Sequence, residues 1–160
     1  SYIQWSFGSF DAAVWSDLRI LVPLIAFVGA AAILLAKPLN AFLLGEEYAG
    51  TMGASVHRVR LALIVTAALS AGAVHAFCGP VAFLGVAVPH MARGLTGTSD
   101  HSNLIPMTAL LGSSTALAAD IVSHLPGGPS VLPLNAVTAL IGAPVVVWVL
   151  IRSRSGRYSL

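Results

Sequence analysis

Residues able to do chemistry are few in this sequence, and they are scattered. The five histidines, His57, His75, His90, His101 and His124, fall on different apolar runs or in the segments between them, without the paired spacing that gathers imidazoles around one metal ion. No Walker-type phosphate loop, nucleophile elbow, HExxH or CxxC pattern occurs. No catalytic group, metal site or cofactor is therefore assigned, and any energy source must come from another chain. The single cysteine, Cys78, cannot form an internal disulfide and says nothing about redox compartment.

Four polar groups remain. The first is the stretch 45–53, Gly45-Glu46-Glu47-Tyr48-Ala49-Gly50-Thr51-Met52-Gly53. It reads as a short helix, with two acids at the positive end of the dipole and Gly53 able to terminate it. Tyr48, Ala49 and Met52, spaced i, i+1 and i+4, give it a small, mostly apolar face. A second short helix can start near Ser55, a fair N-cap, and run into Arg58, Arg60 and the next span. The segment is either an ordinary solvated loop or a docking element for a soluble partner. Second, Asp120 lies in an apolar run, where an unpaired charge at the bilayer centre costs roughly 2.5–3.5 kcal/mol. Its place in the last turn lowers that cost and leaves capping or pairing outside the core open beside substrate passage. Third, Asn135, Thr138 and Gly142 recur at i, i+3 and i+7 as a stripe that either packs against a helix or lines a path, and Gly142 with Pro144 predicts a bend. Fourth, His90 and Arg93 share a face at the end of another run, where snorkelling and a gate or partner contact are both open.

The elements positioning these groups follow from where the charges fall. Of 160 residues, 57% are hydrophobic and 9% charged, with a mean hydropathy of +0.88; a soluble domain carries roughly 25% charged residues. Lipid is the solvent this composition fits. Between Arg19 and Lys37 lie 17 uncharged residues, enough for about 25 Å of a roughly 30 Å hydrocarbon core. Residues 61–92 carry no formal charge, and Gly79-Pro80 divides them into two helices, about 61–78 and 81–95. The second is short and contains Pro89, so a kinked or partly re-entrant segment is possible. Runs at 104–122 and 132–151 complete an all-α membrane protein of about five spans, forming one transmembrane domain over 1–160.

The net charge of +2 and pI near 9.1 do not indicate nucleic acid, because the basic residues are scattered at the ends of apolar runs. Counted by the positive-inside rule, Lys37, Arg58, Arg60, Arg93, Arg152, Arg154 and Arg157 are cytoplasmic and only Arg19 is external. The N-terminus is then external, the C-terminus cytoplasmic, and segment 37–60 internal. The chain starts at Ser1 without an initiator Met or a signal-peptide pattern and is expected to be a fragment or a processed product.

Several motifs in order resemble those of the FecCD/BtuC-type permeases of ABC importers for iron-siderophore, haem or cobalamin. They are Trp5-x-x-Gly8-Ser9 with Trp15; Leu44-Gly45-Glu46-Glu47 with Ala49, Gly53 and Arg58-x-Arg60; Gly79-Pro80-Val81-Ala82-Phe83-Leu84-Gly85; Val88-Pro89-His90-x-x-Arg93; Ala119-Asp120; and Leu132-Pro133 followed by Val137 to Pro144. The resemblance covers nearly the whole chain and corresponds to the last five of the family's ten spans. It implies a permease working as a homodimer in the inner membrane, with ABC ATPase subunits inside and a periplasmic or lipoprotein substrate-binding protein outside. It further implies that 45–53 is the coupling helix seated in the ATPase, that the 132–151 helix lines the translocation path through Asn135, Thr138 and Gly142, and that His90 and Arg93 stand at the cytoplasmic mouth. The chain departs from the family at Val131 and Asn135, where an acid and a Gly are common, and at Ser123-His124, where an Arg is common.

The resulting expectation is a transport subunit, not an enzyme. A secondary transporter, the alternative, would show ionisable residues near the midplane, and Asp120 is peripheral.

Overall fold

An apolar chain in hydrocarbon has no water to bond its peptide groups, and a helix satisfies them within one segment. The computed structural model describes residues 10, 14–51, 53, 55–81, 83–125 and 132–155, and its regular elements are all helical. Helix α1 spans Trp15–Phe42 in 28 residues, about 42 Å at the helical rise. Asp17 in its first turn accepts the Val14 N–H at 3.2 Å, satisfying one of the donors a helix start leaves open. The short α2 covers Glu46–Thr51, and α3 covers Val56–Cys78 in 23 residues. Helix α4, Leu84–Thr96, has 13 residues; α5, His101–His124, has 24; α6, Leu134–Ser155, has 22. By length and composition α1, α3 and α5 can each cross a membrane, and α6 carries a shorter apolar stretch, Leu134–Trp148.

Each expected span overlaps a helix, and α1 runs past both ends of the apolar run 20–36. The helix expected to start near Ser55 and run into the span from Leu61 is α3, one continuous helix. Ser55 holds the extended backbone of an N-cap but makes no side-chain cap bond. The helix expected from Val81 begins only at Leu84, because Gly79 takes φ 74 and ψ −175, a conformation open to glycine alone, and Phe83 stands at φ 66. The remaining 13 residues of α4 reach about 20 Å of the roughly 30 Å core. The helix present is short, with Pro89 inside it.

Hydroxyls along these helices bond back into their own backbone. Thr66 donates to the Ala62 carbonyl at 2.7 Å, Ser70 to that of Thr66 at 2.6 Å and Ser114 to that of Leu110 at 2.8 Å, which satisfies them without a partner helix.

Helices α1, α2 and α3 pack on one another, as do α4, α5 and α6, and the two groups meet along α1 and α5. Small side chains form the contacts: Ala36, Ala73, Ala87, Ala92 and Ala119 are buried, while Ile20, Leu34, Leu110 and Leu140 are exposed. That inversion of a soluble core is how membrane helices pack, since lipid tails are as apolar as leucine. At one end of the second group, Ala119, Leu134 and Val137 are buried together against Phe10 and Ile141, and the Leu132 N–H bonds the Ser123 carbonyl at 3.1 Å.

Candidate functional site

Basic side chains gather at one end of the bundle. Lys37 lies near the C-terminal end of α1, Arg58 and Arg60 in the first turns of α3, and Arg93 in the last turn of α4. Arg19 is eighteen residues before Lys37 on the same helix, about 27 Å away. The backbone of Arg152 and Arg154 lies in the last turn of α6, and Arg157 lies outside the described residues.

At this end sits α2, packed against both α1 and α3. Gly45, at φ +109, and Gly53, at φ +84, bracket it, and the Gly53 N–H bonds back to the Gly50 carbonyl at 3.1 Å, so glycine is needed at both turns. Glu46 and Glu47 occupy the first turn, as the dipole favours. Glu46 also pairs with the Arg60 guanidinium at 2.7 Å, with both side chains 59% exposed. A pair so exposed contributes about 0–1 kcal/mol to holding α2 in place.

One expectation about this helix is reversed in detail. Tyr48, Ala49 and Met52 were expected to form one outward face, yet Ala49 is 0% exposed and Tyr48 is 50% exposed. Ala49 is the residue by which α2 seats on its neighbours, as a side chain one position from Tyr48 on a helix points some 100° away. The outward surface is Glu47, Tyr48, Gly50 and Thr51, and Met52 lies outside the described residues.

A polar cluster with no clear signal in the sequence joins the end of α1 to the start of α5. Asp100 is the N-cap of α5, accepting the Ser102 N–H at 2.9 Å. Across from it, Asn40 in the last turn of α1 donates its amide to the same carboxylate. The Asn40 carbonyl oxygen accepts the His101 backbone N–H at 2.8 Å, and His101 Nδ1 lies 2.8 Å from the same oxygen, so that nitrogen carries the proton. The Ser102 N–H first and the Asn40 amide second hold the Asp100 carboxyl below the ordinary carboxylate value. An Asp just ahead of an apolar run is a recognisable helix start; its partner 60 residues earlier is not.

His90 and Arg93 are both exposed on α4, and the Arg93 carbonyl accepts the Gly97 N–H at 3.0 Å where the helix closes in a left-handed turn. The stripe on α6 faces inward: Thr138 is 0% exposed and bonds the Asn135 carbonyl at 3.1 Å. Gly142 is buried against Phe83, whose Cβ would stand 2.5 Å from any Cβ added to the glycine. Asn135 is half-buried. At the far end of the bundle, Asp120 lies 3.9 Å from His124 one turn on, and Ser123 donates to the Asp120 carbonyl at 2.7 Å. Asp120 thus has local partners at the helix end. Among the described residues, no group of three or more His, Cys, Asp or Glu is placed to hold a metal ion.

Long apolar helices packed through small residues, with a six-residue helix held at the basic end, define a multi-pass helical membrane protein. The chain belongs to the FecCD transport family, which matches residues 1–152. Curated relatives are permease components. The chain is 37% identical over 153 residues to the Fe(3+) dicitrate transport system permease protein FecD of Escherichia coli K12, covering 95% of this chain and 48% of the relative. It is 36% identical over 152 residues to the vitamin B12 import permease BtuC of Klebsiella pneumoniae, covering 95% and 45%. To the hemin transport permease HmuU of Yersinia pestis it is 35% identical over 153 residues, covering 96% and 46%. A solved metal-chelate type ABC transporter in an inward-facing conformation superposes with a TM-score of 0.82 at 28% identity, covering 94% of this chain and 48% of that one. The chain spans about half the length of the curated relatives it matches.

Proposed function

We propose that this chain forms part of the permease of an ATP-driven importer in the inner membrane, moving a metal chelate, haem or cobalamin, with α2 as the contact for a cytoplasmic ABC ATPase. The observation that carries the reading is α2 itself. It is a short helix outside the long apolar ones, seated through Ala49 at 0% exposure and paired with Arg60 at 2.7 Å, with Glu47, Tyr48, Gly50 and Thr51 turned outward. A helix that needed only to be solvated would not require a buried seat. The cluster of basic residues at the same end supports a cytoplasmic placement, with the N-terminus of this segment outside and the C-terminus inside.

In this reading the opposite end, near Asp120 and His124, faces a periplasmic or lipoprotein substrate-binding protein, and a second permease copy completes the path. The burial of Thr138 and Gly142 supports a packing role that fixes α4 against α6, and Asn135 is the member of that stripe retained for the path. His90 and Arg93, exposed on the end shared with α2, form the cytoplasmic mouth. The relatives transport ferric dicitrate, vitamin B12 and hemin, so the cargo class is a large metal-bearing organic molecule.

The test is uptake and ATP hydrolysis together, in vesicles holding the full-length permease with its ATPase and binding protein. Replacing Tyr48 by Arg should leave the protein folded and sharply lower both activities. Wild-type rates in that variant would remove α2 from the coupling role.

A further inference from the structure

Helices α1, α2 and α3 form one packed group and α4, α5 and α6 another, and α1 against α5 is the principal seam between them. Whatever pushes on α2 displaces the first group, because α2 touches α1 and α3. For that push to reach α4 and α6 it must pass through the seam. The cytoplasmic end of the seam is where Asn40 bonds the Asp100 carboxylate and receives the His101 N–H at 2.8 Å. Asn40 lies two residues from the end of α1, just ahead of the turn into α2, and Asp100 is the cap on which α5 starts.

We propose that Asn40 is a positioning residue for transport: its bonds to Asp100 and His101 tie the two helix groups together beneath α2, so that motion imposed on α2 carries α5, and with it α4 and α6. The inference rests on α2 being the ATPase contact. The amide fits the task because it donates to one helix start and accepts from the same start at once, which fixes both the separation and the rotation of the two helices. Asp100 also accepts the Ser102 N–H at 2.9 Å, a cap bond made within its own helix start, so losing Asn40 should untie the groups without unmaking α5.

The experiment measures cargo imported per ATP hydrolysed, in vesicles containing the full-length permease, its ATPase and binding protein. The probe is whichever of ferric dicitrate, haemin and vitamin B12 the wild type takes up. Asn40→Ala should lower that ratio at least about five-fold, the lower range of site-to-site coupling, with ATPase binding retained. Asn103→Ala is the control: Asn103 also donates to Asp100, at 3.3 Å, but from the same helix end, and its loss should leave the ratio alone. Asn40→Asp sets two carboxylates face to face and should uncouple. Adding Asp100→Asn to it restores a donor and acceptor pair with the roles exchanged and should recover the ratio. An unchanged ratio in Asn40→Ala, even with less folded protein, overturns the proposal. So does a double exchange that fails to rescue. Tyr48→Arg is assayed alongside. If Tyr48→Arg uncouples and Asn40→Ala does not, the seam inference fails while the assignment of α2 stands; if neither uncouples, the assignment itself fails.

Discussion

Replacing Gly142 by Ala should separate α4 from α6, and the structure specifies which atom is at fault. The added methyl carbon would stand 2.5 Å from Phe83 Cβ, 3.5 Å from its Cγ and 3.6 Å from its carbonyl carbon. Carbon atoms at ease lie about 3.5–4.0 Å apart, so the first contact is about 1 Å too short while the others are ordinary. Rotating the phenylalanine ring gives no relief, because Cβ moves only with the backbone, and that backbone already stands at φ 66, which is costly for any residue with a Cβ. The start of α4 must therefore shift. Overpacking of this kind costs about 1–3 kcal/mol, and at roughly 2–4 °C per kcal/mol the thermal midpoint of the permease in detergent should fall by on the order of 5 °C. Two second-site changes identify the contact. Phe83→Ala keeps the clashing carbon and should not rescue Gly142→Ala; Phe83→Gly removes it, relieves the positive φ, and should recover much of the loss. A Gly142→Ala protein that melts with the wild type, or one rescued equally by alanine and glycine at 83, would refute the reasoning.

Further outcomes follow from the same geometry. Ala49→Arg forces a long cation into a site with 0% exposure, so it should unseat α2 and lower the thermal midpoint, whereas Tyr48→Arg should leave the midpoint unchanged; protease protection of the 45–55 segment distinguishes them. Because the Asp100 carboxyl is held below its ordinary value, its contribution to stability is complete above that value and is lost only as pH falls through the lower folded one. The stabilisation that Asp100 gives over Asp100→Asn should thus persist down to about pH 5 and be lost only below about pH 4. In a Cys78→Ala background, a cysteine at Leu125, 70% exposed at the end of α5, should react with an impermeant thiol reagent from outside intact cells, and one at Ser55 should not. The reverse pattern would invert the assigned orientation.

Helix identity was legible in the sequence because lipid enforces it: charges at Arg19, Lys37, Arg58 to Arg60 and Arg93 interrupt the apolar runs, and each run is a helix. The acids and glycines of α2 were legible for the same local reason. What stayed hidden needs a third dimension. The delayed start of α4 depends on positive φ at Gly79 and Phe83, and nothing about phenylalanine announces such a backbone. Which of two adjacent residues, Tyr48 or Ala49, faces inward depends on where α1 and α3 stand. The stripe at Asn135, Thr138 and Gly142 reads equally as packing or path until Phe83 is seen against Gly142. Asn40 carries no signal of its own, since a polar residue in a last turn is ordinary, and its partner Asp100 is fixed only by the packing of α1 on α5.

The most direct measurement of the central claim is site-specific photo-crosslinking in the assembled importer, with a benzophenone at position 48 on α2 and, separately, at position 125 at the other end of the bundle. The account predicts capture of the ATPase from position 48 and not from 125, with capture from 48 changing in yield when ATP is added. Capture of the ATPase from 125, or its failure to be captured from 48 in an importer that still hydrolyses ATP, would contradict it.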